Sequence, residues 1–215
     1  FFKPKRLNLS PLREDALRPQ EGWFEGLPNY PWEAHYVSQL PRLNGLRMHY
    51  LDENHQSAQP QQMTYLCLHG NPAWSYLYRK MIPVFTAHGH RVVAPDLIGF
   101  GKSDKFKKAS QHNFIFHRDV LLEFVQHLDL QRVILVVQDW GGILGLTLPM
   151  AMSNRFVGLL VMNTTLTTGE TPLSDGFISW RTWCKDNPDF DVGKLFARGN
   201  KHMSSEETQA YNRPF

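Results

Sequence analysis

Four short apolar runs constrain the fold of this chain more than any other feature. Runs of this length, without alternation of polar and apolar residues, are typical of parallel strands that are buried on both faces. Helix-like segments lie at about residues 75–88 and 113–128, and a third begins after residue 140. Strands that alternate with helices predict an α/β fold with a mostly parallel sheet. The four runs span residues 65–68, 91–94, 133–137 and 159–162.

The segments 35–40 and 46–52 alternate polar and apolar residues instead, and Asn44 and Gly45 between them form a strong turn signal. We therefore expect an antiparallel hairpin to open the sheet. In the predicted helix 113–128, four apolar residues recur at the spacing of one helix face, which predicts that this face packs on the core. They are Leu121, Phe124, Val125 and Leu128.

Composition divides the chain into three parts. Residues 1–34 are rich in Pro, Trp and charge without a sustained period, so we expect an irregular arm packed on the core. Residues 35–164 hold the predicted strands and helices and form the first part of the core domain. Residues 165–215 hold no strand-like run, and we expect them to begin an inserted helical cap. The 215 residues, 42% hydrophobic and 20% charged, suffice for a globular core.

Charge and cysteine content argue against several classes of partner. The chain has 23 Lys and Arg against 20 Asp and Glu, without basic runs, so we expect no nucleic-acid partner. The apolar run at 133–137 is far shorter than the ~20 residues that cross a bilayer, so we expect no membrane partner. Two cysteines form no disulfide framework, and no signal peptide is visible. We expect a cytoplasmic monomer, although a periplasmic location is also compatible with the sequence.

Two glycine-rich stretches resemble nucleotide-binding motifs but have the wrong spacing. Gly101 is followed by Lys and Ser, yet Asp96 stands where a phosphate loop needs its first Gly. Gly99 and Gly101 are followed by Asp104 where a dinucleotide fingerprint needs Gly. A tight loop after a strand explains both stretches. No residues have zinc-like spacing, so we expect neither a metal nor an organic cofactor.

The clearest chemical signal is Val-Val-Gln-Asp-Trp-Gly-Gly at residues 136–142. A buried strand that runs directly into small residues and a helix makes a strained turn, which exposes one side chain above the sheet. That side chain is Asp139, and the alternative is that Asp139 only caps the helix. His-Gly-Asn-Pro at residues 69–72 follows another buried strand. The backbone N–H of Asn71 can therefore face the turn and form an oxyanion hole with the N–H of Trp140.

Together these motifs resemble the haloalkane dehalogenases of the α/β-hydrolase fold, over about residues 24–215. The resemblance rests on 69–83, which begins His-Gly-Asn-Pro-Ala-Trp-Ser, on Ala-Pro-Asp-Leu-Ile-Gly-Phe-Gly-Lys-Ser-Asp at 94–104, and on 136–146. It implies an α/β-hydrolase fold with a mostly parallel central sheet and an inserted helical cap. It also implies that Asp139 is the nucleophile and that Asn71, Trp140 and the cap residue Trp180 hold the leaving halide. Phe177 is a further pocket candidate; the alternative is that Phe177 and Trp180 form a packing stripe.

The residue types suit this chemistry. A carboxylate that displaces a halide forms an ester that water can hydrolyse, whereas a serine would form a stable ether. Indole and amide N–H groups stabilise a departing halide without adding a competing anion. The expected substrates are a small haloalkane and water, and the products are a primary alcohol and a halide ion.

The resemblance also implies a histidine base and an acid that orients it. None of the ten histidines follows the cap, and residues 163–164 are Asn-Thr where some members carry the acid. We therefore expect this chain to be part of a longer enzyme.

Three alternative functions are kept open. An epoxide hydrolase shares the aspartate nucleophile but needs cap tyrosines, and the cap offers only Tyr211. A chain complete at residue 215 would be a non-catalytic module that is alkylated once. A cofactor-independent luciferase would rest on fold analogy alone.

Overall fold

The computed structural model describes residues 13–55, 61–166, 169–170 and 172–215. Six strands form one sheet in the order β2-β3-β5-β4-β7-β8. Strands β5, β4, β7 and β8 run parallel, whereas β3 pairs antiparallel with both β2 and β5. The four apolar runs form the parallel part, which confirms the predicted α/β architecture. The strands are β1 (Ala16–Leu17), β2 (His35–Val37), β3 (Met48–Glu53), β4 (Thr64–Leu68), β5 (Arg91–Pro95), β6 (Lys105–Phe106), β7 (Val133–Gln138) and β8 (Phe156–Met162).

Helices follow the strands along the described residues. The longest, α2, begins after Asn113, whose side chain accepts the N–H of Phe116 at 2.9 Å, and it ends before Leu128, as predicted. Every helix of the described part is too short or too polar to cross a lipid bilayer. The helices are α1 (Ile82–Ala87), α2 (Phe114–His127), α3 (Trp140–Gly145), α4 (Leu148–Ala151), α5 (Asp175–Asp186), α6 (Val192–Gly199) and α7 (Ser205–Asn212).

Two predicted elements differ in detail. The segment 75–88 is not one helix: a 3₁₀ helix, Ser75–Lys80, precedes α1, because Pro83 fits only the first turn of an α-helix. The pair β2–β3 forms, but residues 38–47 connect it through a 3₁₀ helix rather than a tight hairpin turn. The connection is longer because three of its leucines insert into the core. They are Leu40, Leu43 and Leu46.

The parallel strands are buried on both faces. Along β7, Leu135 and Val137 belong to a cluster that includes Phe124 of α2, and Val136 belongs to a second cluster on the opposite face. The second cluster also contains Trp74 and the cap residue Tyr211. This double burial is the physical reason for the unbroken apolar runs in the sequence.

The terminal parts of the chain are held differently. Arg18 makes two 2.8 Å bonds to the buried carboxylate of Asp104, and β1 pairs with β6, so the described part of the N-terminal arm is fixed to the core. Residues 1–12 of that arm lie outside the described residues. In the predicted cap segment, residues 165–215, α7 contacts the core, whereas α5 has no buried residue. The proposed boundaries at 34/35 and 164/165 stay predictions.

Candidate active site

Asp139 occupies the turn between β7 and α3 in a strained backbone conformation. Its φ is 51° and its ψ is −126°, a region that costs a residue other than glycine about 1–3 kcal/mol. The Asp139 side chain does not cap α3. Instead, its Oδ1 accepts the backbone N–H of Asn71 at 2.8 Å. The capping alternative is therefore wrong. The strained turn places the Asp139 carboxylate beside the loop that follows β4.

Small residues make this turn possible. A Cβ on Gly141 would overlap the carbonyl oxygen of Leu68, and a Cβ on Gly70 would overlap the side chain of Asp139. The clash at Gly141 is with backbone atoms, so the rotation of a side chain could not relieve it. The helix therefore begins directly against the end of β4, and the Asp139 carboxylate is held beside the residue 69–71 loop.

Residues 163–164, noted in the sequence for lacking an acid, close the other side of the turn. The Thr164 hydroxyl donates to the carbonyl of Asp139 at 2.7 Å, and the N–H of Asp139 donates to the carbonyl of Asn163 at 3.2 Å. A Cβ on Gly142 would overlap the Thr164 side chain. These two residues therefore clamp the backbone of the turn, a role that the sequence analysis missed.

His69 supports the facing loop and has no free ring nitrogen. It is completely buried; its Nδ1 bonds the carbonyl of Gly70 at 2.8 Å, and its Nε2 accepts the N–H of Leu97 at 2.9 Å. Burial lowers the pKa of His69, although the nearby Asp96 opposes this effect. A neutral ring with its proton on Nδ1 satisfies both bonds. His69 therefore joins two loops and is not available as a base.

A cavity of about 340 Å³ opens beside the Asn71 loop. Asn71 and Trp140 are among the residues that line it, and most of the other walls are apolar. An apolar cavity with few polar groups is typical of small-molecule sites. The remaining lining residues are Gly70, Leu97, Gly99, Phe100, Ala109, His112, Asn113, Phe114, His117 and Leu144.

The structure brings together three of the five predicted site residues. Asn71 and Trp140 line the cavity, whereas Asp139 is not among the lining residues and is joined to the site through its hydrogen bond with Asn71. Trp180 and Phe177 lie on α5 and are not among the lining residues of the described cavity. Trp180 is 38% exposed, and its ring stacks on Trp183 at 5.4 Å.

Two histidine interactions escaped the sequence analysis. His112 and His117, at the start of α2, line the cavity and bond each other. His49 is completely buried and bonds Asp96 at 2.7 Å through Nδ1. Burial would raise the pKa of Asp96, but His49 and backbone N–H donors hold it well below its usual range. Neither pair has a sequence motif. His49 and Asp96 belong to separate parts of the chain, and His112 and His117 lie on either side of the start of α2.

Metal ligation has no candidate in the described segments. They contain no group of three or more His, Cys, Asp or Glu side chains placed to hold an ion. Cys67 is buried and Cys184 half-buried, and both are free thiols.

Comparisons with known proteins agree with the geometry. A family model described as alpha/beta hydrolase fold matches residues 66–190. A haloalkane dehalogenase from Psychrobacter cryohalolentis is 41% identical over 201 residues, which cover 93% of this chain and 65% of that protein. One from Mycobacterium marinum is 36% identical over 206 residues, covering 94% and 67%. The chain thus spans about two thirds of the length of these relatives.

A solved structure is similar over the same part of the chain. The tetrameric haloalkane dehalogenase DpaA from Paraglaciecola agarilytica NO2 is 48% identical, with a TM-score of 0.88, over 93% of this chain and 66% of that one. The chain therefore belongs to the α/β-hydrolase fold family and, within it, to the haloalkane dehalogenases.

Proposed function

We propose that the protein hydrolyses the carbon–halogen bond of haloalkanes to a primary alcohol and a halide ion, through a covalent ester on Asp139. One observation carries this proposal. A carboxylate at a strained strand-to-helix turn accepts the N–H of Asn71 at 2.8 Å, beside an apolar cavity that Asn71 and Trp140 line. No cofactor is required for this reaction.

The first step is displacement of the halide. The Asn71 N–H holds Oδ1 of Asp139, while Oδ2 accepts no hydrogen bond from the described residues. Oδ2 attacks the halogen-bearing carbon; a C–O bond forms, and the halide leaves with the electrons of the C–halogen bond. The indole N–H of Trp140 and the side-chain amide of Asn71 stabilise the halide. Each donor is expected to contribute about 2.7–4 kcal/mol, by analogy with oxyanion-hole donors.

The second step is hydrolysis of the ester. Water attacks the ester carbonyl carbon, and the negative charge develops on Oδ1, to which the Asn71 N–H already donates. The alcohol leaves and the carboxylate is restored. A base must take the proton of the attacking water. We assign this base to none of the ten histidines. Both ring nitrogens of His69 are bonded, and burial lowers the pKa of His112 and of His117, which makes both rings weak proton acceptors.

Trp180 and Phe177 are proposed cap contributors, Trp180 as a third halide donor and Phe177 as a pocket wall. The support is the resemblance of their sequence, Phe-Ile-Ser-Trp at residues 177–180, to the cap of the family. Because neither residue lines the cavity, their contribution needs its own test, which is given in the Discussion.

Epoxide hydrolysis is less well supported. It requires a cap hydroxyl that protonates the epoxide oxygen, and Tyr211 is the only tyrosine of residues 165–215. Tyr211 is buried, its hydroxyl accepts a bond from Arg79 at 3.3 Å, and its ring packs on Phe196. It does not line the described cavity. Haloalkane hydrolysis is therefore the better supported function.

Isotope labelling tests the proposal directly. We expect bromide release from 1-bromobutane, and none from the variant Asp139→Asn. Many equivalents per chain require a base that takes the proton of the water that attacks the ester. In a single turnover in H₂¹⁸O, the label should enter the Asp139 carboxylate, and the first alcohol should be unlabelled. Label in the first alcohol would show that water attacks the substrate directly. Release of one equivalent only would favour the single-turnover module, and hydrolysis of 1,2-epoxybutane without bromide release would favour an epoxide hydrolase.

The oligomeric state also needs measurement. DpaA is described as a tetramer, whereas we expect a monomer here. The native mass of the purified protein distinguishes the two.

A further inference from the structure

His112 and His117 form a hydrogen-bonded pair in the cavity wall. Nδ1 of His112 lies 3.0 Å from Nε2 of His117, and the two rings are 7° from parallel with centroids 5.3 Å apart. Both residues line the same cavity as Asn71 and Trp140. They are therefore polar groups within a largely apolar surface, next to the proposed reaction centre.

The surrounding residues fix both rings. The ring centroids of Phe106 and His112 are 5.2 Å apart, and so are those of Phe116 and His117; both ring pairs are T-shaped. Gly99 has a φ of 99°, and a Cβ there would lie 2.6 Å from Cε1 of His112. The glycine thus leaves space that the imidazole occupies. Phe106, Phe116 and Gly99 therefore pack around the pair and fix the position of both rings.

The pair is uncharged at neutral pH. Burial lowers the pKa of both rings; the charge of Lys105 lowers that of His112 further, and burial together with His112 and His69 lowers that of His117 to about 4. Two neutral imidazoles carry two N–H groups, and one of them makes the bond between the rings. The other two nitrogens therefore present one donor and one acceptor, whichever tautomer is present.

These two nitrogens are free to bind a ligand. His112 Nε2 and His117 Nδ1 have no hydrogen-bond partner among the described residues, and neither is a fully buried atom. Asn113 also lines the cavity, and its side-chain carbonyl oxygen accepts the N–H of Phe116 at the start of α2. The nearby walls are apolar and include Leu97, Phe100 and Leu144.

We propose that the His112–His117 pair binds a hydroxyl group of the substrate, so that haloalkanes with a hydroxyl remote from the halogen are preferred substrates. A hydroxyl both donates and accepts, and so matches the pair in either tautomer. The proposal rests on the proposed function, because it assumes that the halogen-bearing carbon lies at Asp139. His112 and His117 are then specificity-determining residues rather than catalytic ones.

Paired substrates test this specificity. The ratio of kcat/KM for 6-bromo-1-hexanol to that for 1-bromohexane should fall at least about tenfold in His112→Phe and in His117→Phe, the effect of losing one buried hydrogen bond. His127→Phe is the matched control, since His127 is exposed on the same helix. An unchanged ratio in both cavity variants would overturn the proposal.

A binding measurement separates this proposal from the proposed function. In Asp139→Asn, quenching of tryptophan fluorescence should report tighter binding of 6-bromo-1-hexanol than of 1-bromohexane, and His117→Phe should abolish the difference. If the unmodified protein turns over neither compound, the proposed function fails. The binding comparison still shows whether the His112–His117 pair binds the hydroxyl group. Equal binding of the two compounds would overturn the site. Circular dichroism checks folding, and His112→Phe replaces His117→Phe in this measurement if the latter does not fold.

Discussion

The turn around Asp139 and helix α5 both carry proposed site residues, but they are held to the rest of the protein in opposite ways. In α3, which begins at the turn, four of six residues are buried, and its first glycine contacts the backbone of β4. In α5 no residue is buried, and Trp180 and Trp183 are 38% and 42% exposed. Close backbone contact therefore specifies the position of Asp139. The α5 tryptophans contact each other and Phe190 through their rings, with no close backbone contact to the sheet among the described residues.

The comparison shows when a local sequence motif is sufficient to specify the position of a site residue. The turn needs glycine at position 141, because a Cβ there would overlap the backbone carbonyl of Leu68. A tryptophan on an exposed helix face has no comparable constraint, so the same residue suits packing or ligand binding.

A matched pair of glycine substitutions tests the comparison most directly. Gly141→Ala should lower the free energy of unfolding by more than about 3 kcal/mol, because the methyl group would overlap the carbonyl oxygen of Leu68. Gly176→Ala, at a helical position of α5 with no atom within 4 Å of the added carbon, should raise it by about 0.5–1 kcal/mol. Urea unfolding measures both. Equal effects would show that the two regions are equally constrained.

The contact between α7 and the core provides the second test. Glu207 is buried and accepts bonds from Arg79 at 2.6 Å and Lys80 at 3.1 Å. Glu207→Gln should cost about 3 kcal/mol, because the Arg79 guanidinium would stay buried without its counter-charge. Glu206→Gln is the control, since Glu206 is exposed in the same turn. A loss equal to that of the control would mean that α7 is held by apolar contacts alone.

The same ion pair predicts a pH dependence. The Arg79 hydrogen bond is the main cause that lowers the pKa of Glu207 from 4.5 to about 2. The carboxylate therefore stabilises the fold fully above about pH 4.5, and this contribution is lost as the pH falls from there to about 2. Over that range, the unmodified protein should lose more stability than Glu207→Gln. Parallel loss in both proteins would contradict the assignment.

The smallest expected effect concerns the proposed halide site. Trp180→Phe should weaken bromide binding about tenfold, since it removes one N–H donor to an anion and keeps an aromatic ring. Trp183→Phe is the matched control, because Trp183 stacks on Trp180 at 5.4 Å. Bromide quenching of the remaining tryptophan fluorescence measures both. Unchanged affinity in Trp180→Phe would assign Trp180 to packing only.

Local patterns predicted much of the molecule, and the errors have physical causes. The apolar stripe predicted α2, and the Asn113 cap that the structure shows at its start is also a local feature. The tight turn at Asn44 was wrong because Leu43 and its neighbours insert into a core that a turn signal does not describe. The single helix at 75–88 was wrong because Pro83 fits only the first turn of an α-helix, so α1 begins at Ile82.

The sequence by itself determined the α/β architecture, the parallel strands and the turn that carries Asp139, because apolar runs, glycines and turn residues act over a few neighbouring positions. Only the tertiary structure decided that Asn71 donates to the Asp139 carboxylate, that Thr164 clamps the turn, and that His112 and His117 share the cavity wall. These contacts join residues from different elements. Their distances depend on how strands and helices pack, which no local pattern encodes.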